Sequence, residues 1–138
     1  LLNRTSAIGM AEMSIRENAG LLAYSPLGFG VLSGKYIKGT ARPKARLNVF
    51  GKSYARYSGE LSVKATKKYL AIADKHGFSL AQMALAFVNI QPFLTANIIG
   101  ATTMEQLKEN IESIDVELSD EILKEIGAVH QEYSNPAP

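Results

Sequence analysis

Apolar positions recur along this chain with two periods, and they divide it into helices and short strands. Between Ser6 and Ala19, Ile8, Ala11 and Ile15 fall at spacings of three and four, which predicts a helix ended by Gly20. Leu21, Leu22, Ala23 and Tyr24 read as a short buried strand, and Ala96 to Ile99 as a second. Leu61 to His76 resumes helical periodicity, with Leu61, Ala65, Tyr69 and Ile72 inward and Lys64, Lys67, Lys68 and Lys75 outward. Gly77 is placed to stop that helix. Ser79 and Gln82 form a capping box that opens a helix running to Ile90, before Pro92. Leu80, Met83, Ala84, Phe87 and Val88 make that helix apolar on most sides, so it belongs in the core. Thr103, with Gln106 three residues on, caps a helix from Met104 to Ile111 in the same way. A last helix starts at Ser119, packs through Ile122, Ile126, Val129 and Tyr133, and gives way to an irregular tail from Ser134 to Pro138. Residues 37–60 are polar and basic, with few signs of regular structure. The pattern predicts an α/β chain of five helices and two complete strands. Two strands cannot close a barrel, so Leu22 and Ile98 are expected on strands with open edges.

Candidate chemistry gathers where the two strands end. After Tyr24 come Ser25-Pro26, then Gly28, Gly30 and Gly34, then Lys35. Glycines there let the main chain take positive φ and approach a ligand closely, and a single lysine beside them suits an anion such as phosphate. The second strand leads through Gly100 and Thr102 into the capped helix, whose free N–H groups and dipole also favour an anion. Gln106, Glu109 and Asn110 lie three and four residues apart, on parts of one helix face. Ser25 and Ser33 have no nearby histidine–acid pair, which argues against nucleophilic catalysis. His76 and His130 read as helix-end and surface residues and not as metal ligands, and the four methionines as core fillers.

The order Tyr24-Ser25-Pro26-Leu27-Gly28-Phe29-Gly30, Leu32-Ser33-Gly34-Lys35-Tyr36, then Gly100-Ala101-Thr102-Thr103, Glu105-Gln106-Leu107, Glu109-Asn110-Ile111, resembles the C-terminal part of the aldo-keto reductases. The likeness covers essentially the whole chain, from Leu1-Leu2-Asn3-Arg4 to the Pro-Ala-Pro tail. It is closest to the bacterial Tas-like branch, which is related to the β subunits of voltage-gated potassium channels. The resemblance implies the C-terminal portion of a (β/α)8 TIM barrel, with residues 1–138 forming one part of a single barrel domain. Such a barrel typically has about 250 residues, so the chain is expected to be incomplete as a barrel on its own.

The resemblance also implies NADPH as cofactor. Tyr24 would stack on the nicotinamide, while Ser25, Pro26, Leu27, Gly28 and Gly30 would line the pyrophosphate with Lys35 nearby. Gly100, Thr102, Gln106, Glu109 and Asn110 would hold the adenosine end, with Thr102 and Gln106 near the 2′-phosphate. Arg46 corresponds to the family's loop arginine, and residues 37–60 would lie over the cofactor as a flap that is mobile without it. The family's catalytic tyrosine, lysine, aspartate and histidine come from the first half of the barrel, and no position here matches them. The intact parent would reduce a small aldehyde or ketone by hydride transfer, and this chain alone would be inactive. An alternative is a nucleotide-sensing regulatory or interaction module, as in the channel-associated relatives. In either case the partner expected at the open edges is the other barrel half or a second copy.

Composition changes this picture little. With 46% hydrophobic and 20% charged residues, the 138-residue chain is ordinary for a globular domain. The absence of cysteine excludes disulfides and thiolate metal sites and fits a cytoplasmic origin. No apolar run approaches the roughly 18 residues of a membrane span. Charge is uneven: Lys35, Lys38, Arg42, Lys44, Arg46, Lys52 and Arg56 have no acid among them, whereas Glu105 to Glu132 is acidic, as a solvated helix face would be. Phe50, Tyr54 and Tyr57 interleave with the basic residues, a pattern also found in single-strand nucleic-acid binders. A phosphate-rich cofactor explains the same charges more simply, so neither nucleic acid nor membrane is expected as a partner.

Overall fold

A computed structural model describes residues 1–138. After a 3-10 turn at Thr5–Ala7, the elements are α1 (Met10–Arg16), β1 (Leu21–Tyr24), a 3-10 segment at Gly28–Ser33 and α2 (Arg46–Phe50). A second 3-10 turn (Ala55–Tyr57), α3 (Glu60–Lys75), α4 (Leu80–Asn89), β2 (Leu94–Ile98), α5 (Met104–Glu112) and α6 (Asp120–Glu132) complete the chain. β1 and β2 pair in parallel, with Leu22 opposite Ala96 and Tyr24 opposite Ile98. The expected open edges are therefore the outer ones only, since the inner edges satisfy each other. Gly20 leaves room for Thr95 just before this ladder: a β-carbon there would fall 1.6 Å from Thr95 Oγ1 and 3.0 Å from its Cβ, so the threonine would have to shift.

α3, α4 and α6 enclose the core, in which Tyr69, Met83, Leu32 and Ile126 are almost fully buried. Local signals place these helices well. The Ser79 hydroxyl accepts from Gln82 N–H at 3.0 Å and the Gln82 side chain returns to Ser79 N, a complete capping box. Ser119 caps α6 through Ile122 N–H, and Ile122, Ile126 and Val129 form its buried stripe.

Several expectations change. The predicted helix over Ser6–Ala19 is a 3-10 turn plus the short α1, which buries no residue. Leu61 points outward in the first turn of α3, and Ser62 takes the inward place, donating to the Tyr57 carbonyl at 3.1 Å. That bond fastens the start of α3 to the preceding turn. Of the methionines only Met83 fills the core, while Met10, Met13 and Met104 are exposed. Residues 37–60 are not irregular throughout: they hold α2 and the Ala55–Tyr57 turn, because Leu47 packs on the core and Tyr57 is buried in it.

Candidate functional site

Parallel pairing brings the two predicted loops to one place. With Tyr24 opposite Ile98, Ser25 and Ile99 leave the carboxyl ends of adjacent strands, the edge where α/β folds build ligand sites. The Tyr24 side chain is 73% exposed there, so its ring face is free.

The loop after β1 is a tight left-handed turn. Ser25, Gly28, Phe29, Gly30 and Gly34 all have positive φ, from 52° to 89°. Gly28 N–H donates to the Ser25 carbonyl at 2.8 Å and Gly30 N–H to the Leu27 carbonyl at 2.9 Å. The Ser33 hydroxyl closes the turn on the Gly30 carbonyl at 2.8 Å. Glycine at 28 also answers to space, since a β-carbon would sit 3.2 Å from Leu2 and 3.4 Å from Tyr57. At Gly30 a β-carbon would lie 3.0 Å from Lys35 Nζ, so the lysine folds back across the turn. Burial, and secondarily the Arg46 guanidinium, holds the Lys35 pKa below the ordinary lysine value. Neither Lys35 nor Arg46 is paired with an acid. Two neighbouring cations without a counter-charge favour an anion between them.

The loop after β2 differs. Gly100 has open space around it, and its carbonyl accepts from the buried Asn110 side chain at 3.3 Å. Asn110 is thus a brace for the loop, and Glu109 is half-buried beside it. Thr103 caps α5 through Gln106 N–H at 3.3 Å, as expected. The capping box is not completed, however: Gln106 Oε1 accepts from Thr102 N–H and from the Thr102 hydroxyl, each at 3.0 Å, and does not return to Thr103. The exposed Glu105 carboxylate is held below its ordinary pKa by its own backbone N–H and the Thr103 hydroxyl. An anion at this helix start must compete with Glu105.

Aromatic residues near the β1 turn were not singled out as a site by the sequence pattern. Phe29 stacks on Tyr54 at 4.0 Å between centroids and lies parallel to Tyr57 at 6.2 Å. Arg46 sits 5.4 Å over the Phe29 ring and Arg56 4.9 Å over Tyr57. The interleaved aromatics and cations of the loop thus meet each other. A cavity of about 380 Å³ adjoins the turn, lined by Arg4, Tyr24, Ser25, Tyr57, Phe87 and Ala137 among others.

The histidines lie elsewhere. His76 ends α3 and contacts Glu125 at 3.1 Å, near Glu121, but Lys75 bonds both carboxylates, at 2.9 and 2.5 Å. His130 is half-buried and not wholly at the surface: its Nδ1 is buried without a partner, and burial, then Arg4, lowers its pKa. No helix is long and apolar enough to cross a membrane.

Comparison with known proteins converges on one family. The aldo/keto reductase family profile matches residues 1–131. Over all 138 residues the chain is 54% identical to Protein tas of Escherichia coli, of which it covers 40%. Over 118 residues, 81% of the chain, it is 36% identical to a probable voltage-gated potassium channel subunit beta of rice, covering 35% of that protein. Over 120 residues, 83% of the chain, it is 30% identical to the L-glyceraldehyde 3-phosphate reductase of E. coli, covering 34% of it. The chain therefore spans well under half the length of these relatives. A family profile matched over residues 1–131, nearly the whole chain, means that the chain belongs to the aldo/keto reductase family.

Proposed function

We propose that this chain is the NADPH-binding C-terminal part of an aldo-keto reductase, an oxidoreductase whose barrel is completed by residues outside it. In this reading β1 and β2 are neighbouring strands of a (β/α)8 barrel, and their carboxyl ends carry the phosphate site that such barrels build from the loops after two late strands. The observation that carries the reading is the β1 turn, a left-handed glycine cradle with Lys35 folded across it and Arg46 beside it, free of acids. The two cations fit a pyrophosphate, while the amides of Gly28, Gly30 and Gly34 bond carbonyls of the turn itself and give it its shape. Tyr24 offers its exposed ring to the nicotinamide, and Thr102 and Gln106 stand by the 2′-phosphate, with Gly100, Glu109 and Asn110 shaping the adenosine end. NADPH, when bound, supplies hydride for the reduction of an aldehyde or ketone. The residues of this chain bind and orient it. The groups that polarise the carbonyl belong to the first half of the barrel, so the chain alone is inactive. The cytoplasm is the compartment proposed for it.

The test is cofactor preference in the full-length protein. NADPH is expected to bind more tightly than NADH, and Thr102→Ala with Gln106→Ala to shrink that preference by about tenfold, as loss of charge-assisted hydrogen bonds does. Equal affinities for the two cofactors in the unmutated protein would remove the 2′-phosphate assignment. Similarity to a channel β subunit favours a second reading, in which the bound nucleotide is sensed and not turned over. Steady-state reduction of simple aldehydes by the full-length protein separates the two.

A further inference from the structure

The stacked rings around the β1 turn have an arrangement that core packing alone does not require. Phe29 is a non-glycine residue at φ 58°, ψ 22°, a conformation that persists only where its surroundings over-determine it. What surrounds it is the far loop: Tyr54 against one side of the ring, Tyr57 parallel to it, and the Arg46 guanidinium over it. Tyr54 is itself 37% exposed, so burial gives little reason for its placement. Two further bonds fix the ends of the same segment. Leu47 N–H donates to the Tyr36 hydroxyl at 3.1 Å, next to Lys35, and Ser62 holds the Tyr57 carbonyl.

We propose that Phe29 and Tyr54 are positioning residues: their stack clamps the segment from Arg46 to Tyr57 onto the glycine turn and presents Arg46 beside Lys35 before any anion arrives. This rests on reading the turn as a polyphosphate cradle. It replaces the flap that is mobile without ligand by one held in advance, so that the anion meets a preassembled pair of cations. Pre-organisation of this kind lowers the ordering cost of binding and shows chiefly in the dissociation rate.

The experiment uses the full-length protein and reads two quantities. The first is tryptic cleavage after Arg46 and Lys52 without cofactor, and the second is the dissociation rate of NADPH. Tyr54→Ala is expected to speed both by about tenfold, the upper range for loss of one aromatic pair. Tyr54→Phe keeps the ring and should match the unmutated protein in both. Phe29→Leu, which preserves bulk without a stack, should resemble Tyr54→Ala. Unchanged cleavage in Tyr54→Ala and Phe29→Leu, or a Tyr54→Phe variant as labile as Tyr54→Ala, overturns the proposal. If the unmutated protein binds no NADPH yet cleavage follows the predicted order, the clamp stands and the cofactor reading falls. If cleavage follows but NADPH leaves all variants at one rate, the positioning role is lost.

Discussion

The two loops at the carboxyl ends of β1 and β2 are built on opposite plans. The first is crowded: left-handed backbone, a lysine folded across it, a guanidinium over an aromatic ring, and Leu2 and Tyr57 pressed against Gly28. The second is open, with nothing near Gly100 and one buried asparagine as its brace. Cations dominate the first, whereas the second carries Glu105 at its helix start. An anion with more than one charge suits the first. A loop whose Thr102 and Gln106 satisfy one another suits a more exposed, selective contact. One rim can therefore divide binding strength from discrimination.

The crowded turn responds most strongly to glycine replacement. Gly28→Ala puts a β-carbon into a left-handed residue and against Leu2, and should cost about 1–2 kcal/mol in the urea denaturation of the full-length protein. A smaller effect is expected from pH. Lys35 in the free protein gives up its proton at a lower pH than an ordinary lysine. A phosphate favours the charged form, so above that free-state value binding must take up a proton. NADPH affinity should therefore fall severalfold as pH rises from about 7 to 10, and Lys35→Arg, which keeps its charge, should flatten the curve. A flat curve in the unmutated protein would remove Lys35 from the anion contact. Smallest of all is Gly100→Ala, expected within about 0.5 kcal/mol of neutral, because its φ is not left-handed and no atom is close. A large loss there would mean that the two loops are less different than they look.

Much of the fold could be read from the chain because its signals are local. The Ser79–Gln82 box, the Ser119 cap and the stripe of α6 depend on residues within a turn of each other, and all are present. The existence of the two strands was likewise legible from apolar runs that end in turn residues. β1 is not the buried strand expected, however, since Leu22 and Tyr24 are exposed where no neighbour covers that face. β2 runs over Leu94–Ile98 and stops short of Ile99. What could not be read depends on partners far along the chain. α2 has only five residues and exists because Leu47 finds the core. The Phe29–Tyr54 stack joins positions with no periodic relation, and a phenylalanine between two glycines gives no hint of a left-handed residue. Gln106 bonds Thr102 in place of Thr103, a one-residue shift that the capping pattern does not encode. His130 feels the charge of Arg4, which comes from the other end of the chain and has no periodic relation to it.

The parallel ladder has a kinetic corollary. Leu21 pairs with Leu94, so β1 leaves the ribosome long before its neighbour exists, and α3 and α4 must be made in between. Closing so long a loop is entropically slow, and contacts of such sequence separation retard folding. During that interval the edge of β1 that will face β2 is bare, the state in which a strand is most apt to pair with another chain. The brevity of β1, four residues, limits how long a template it offers.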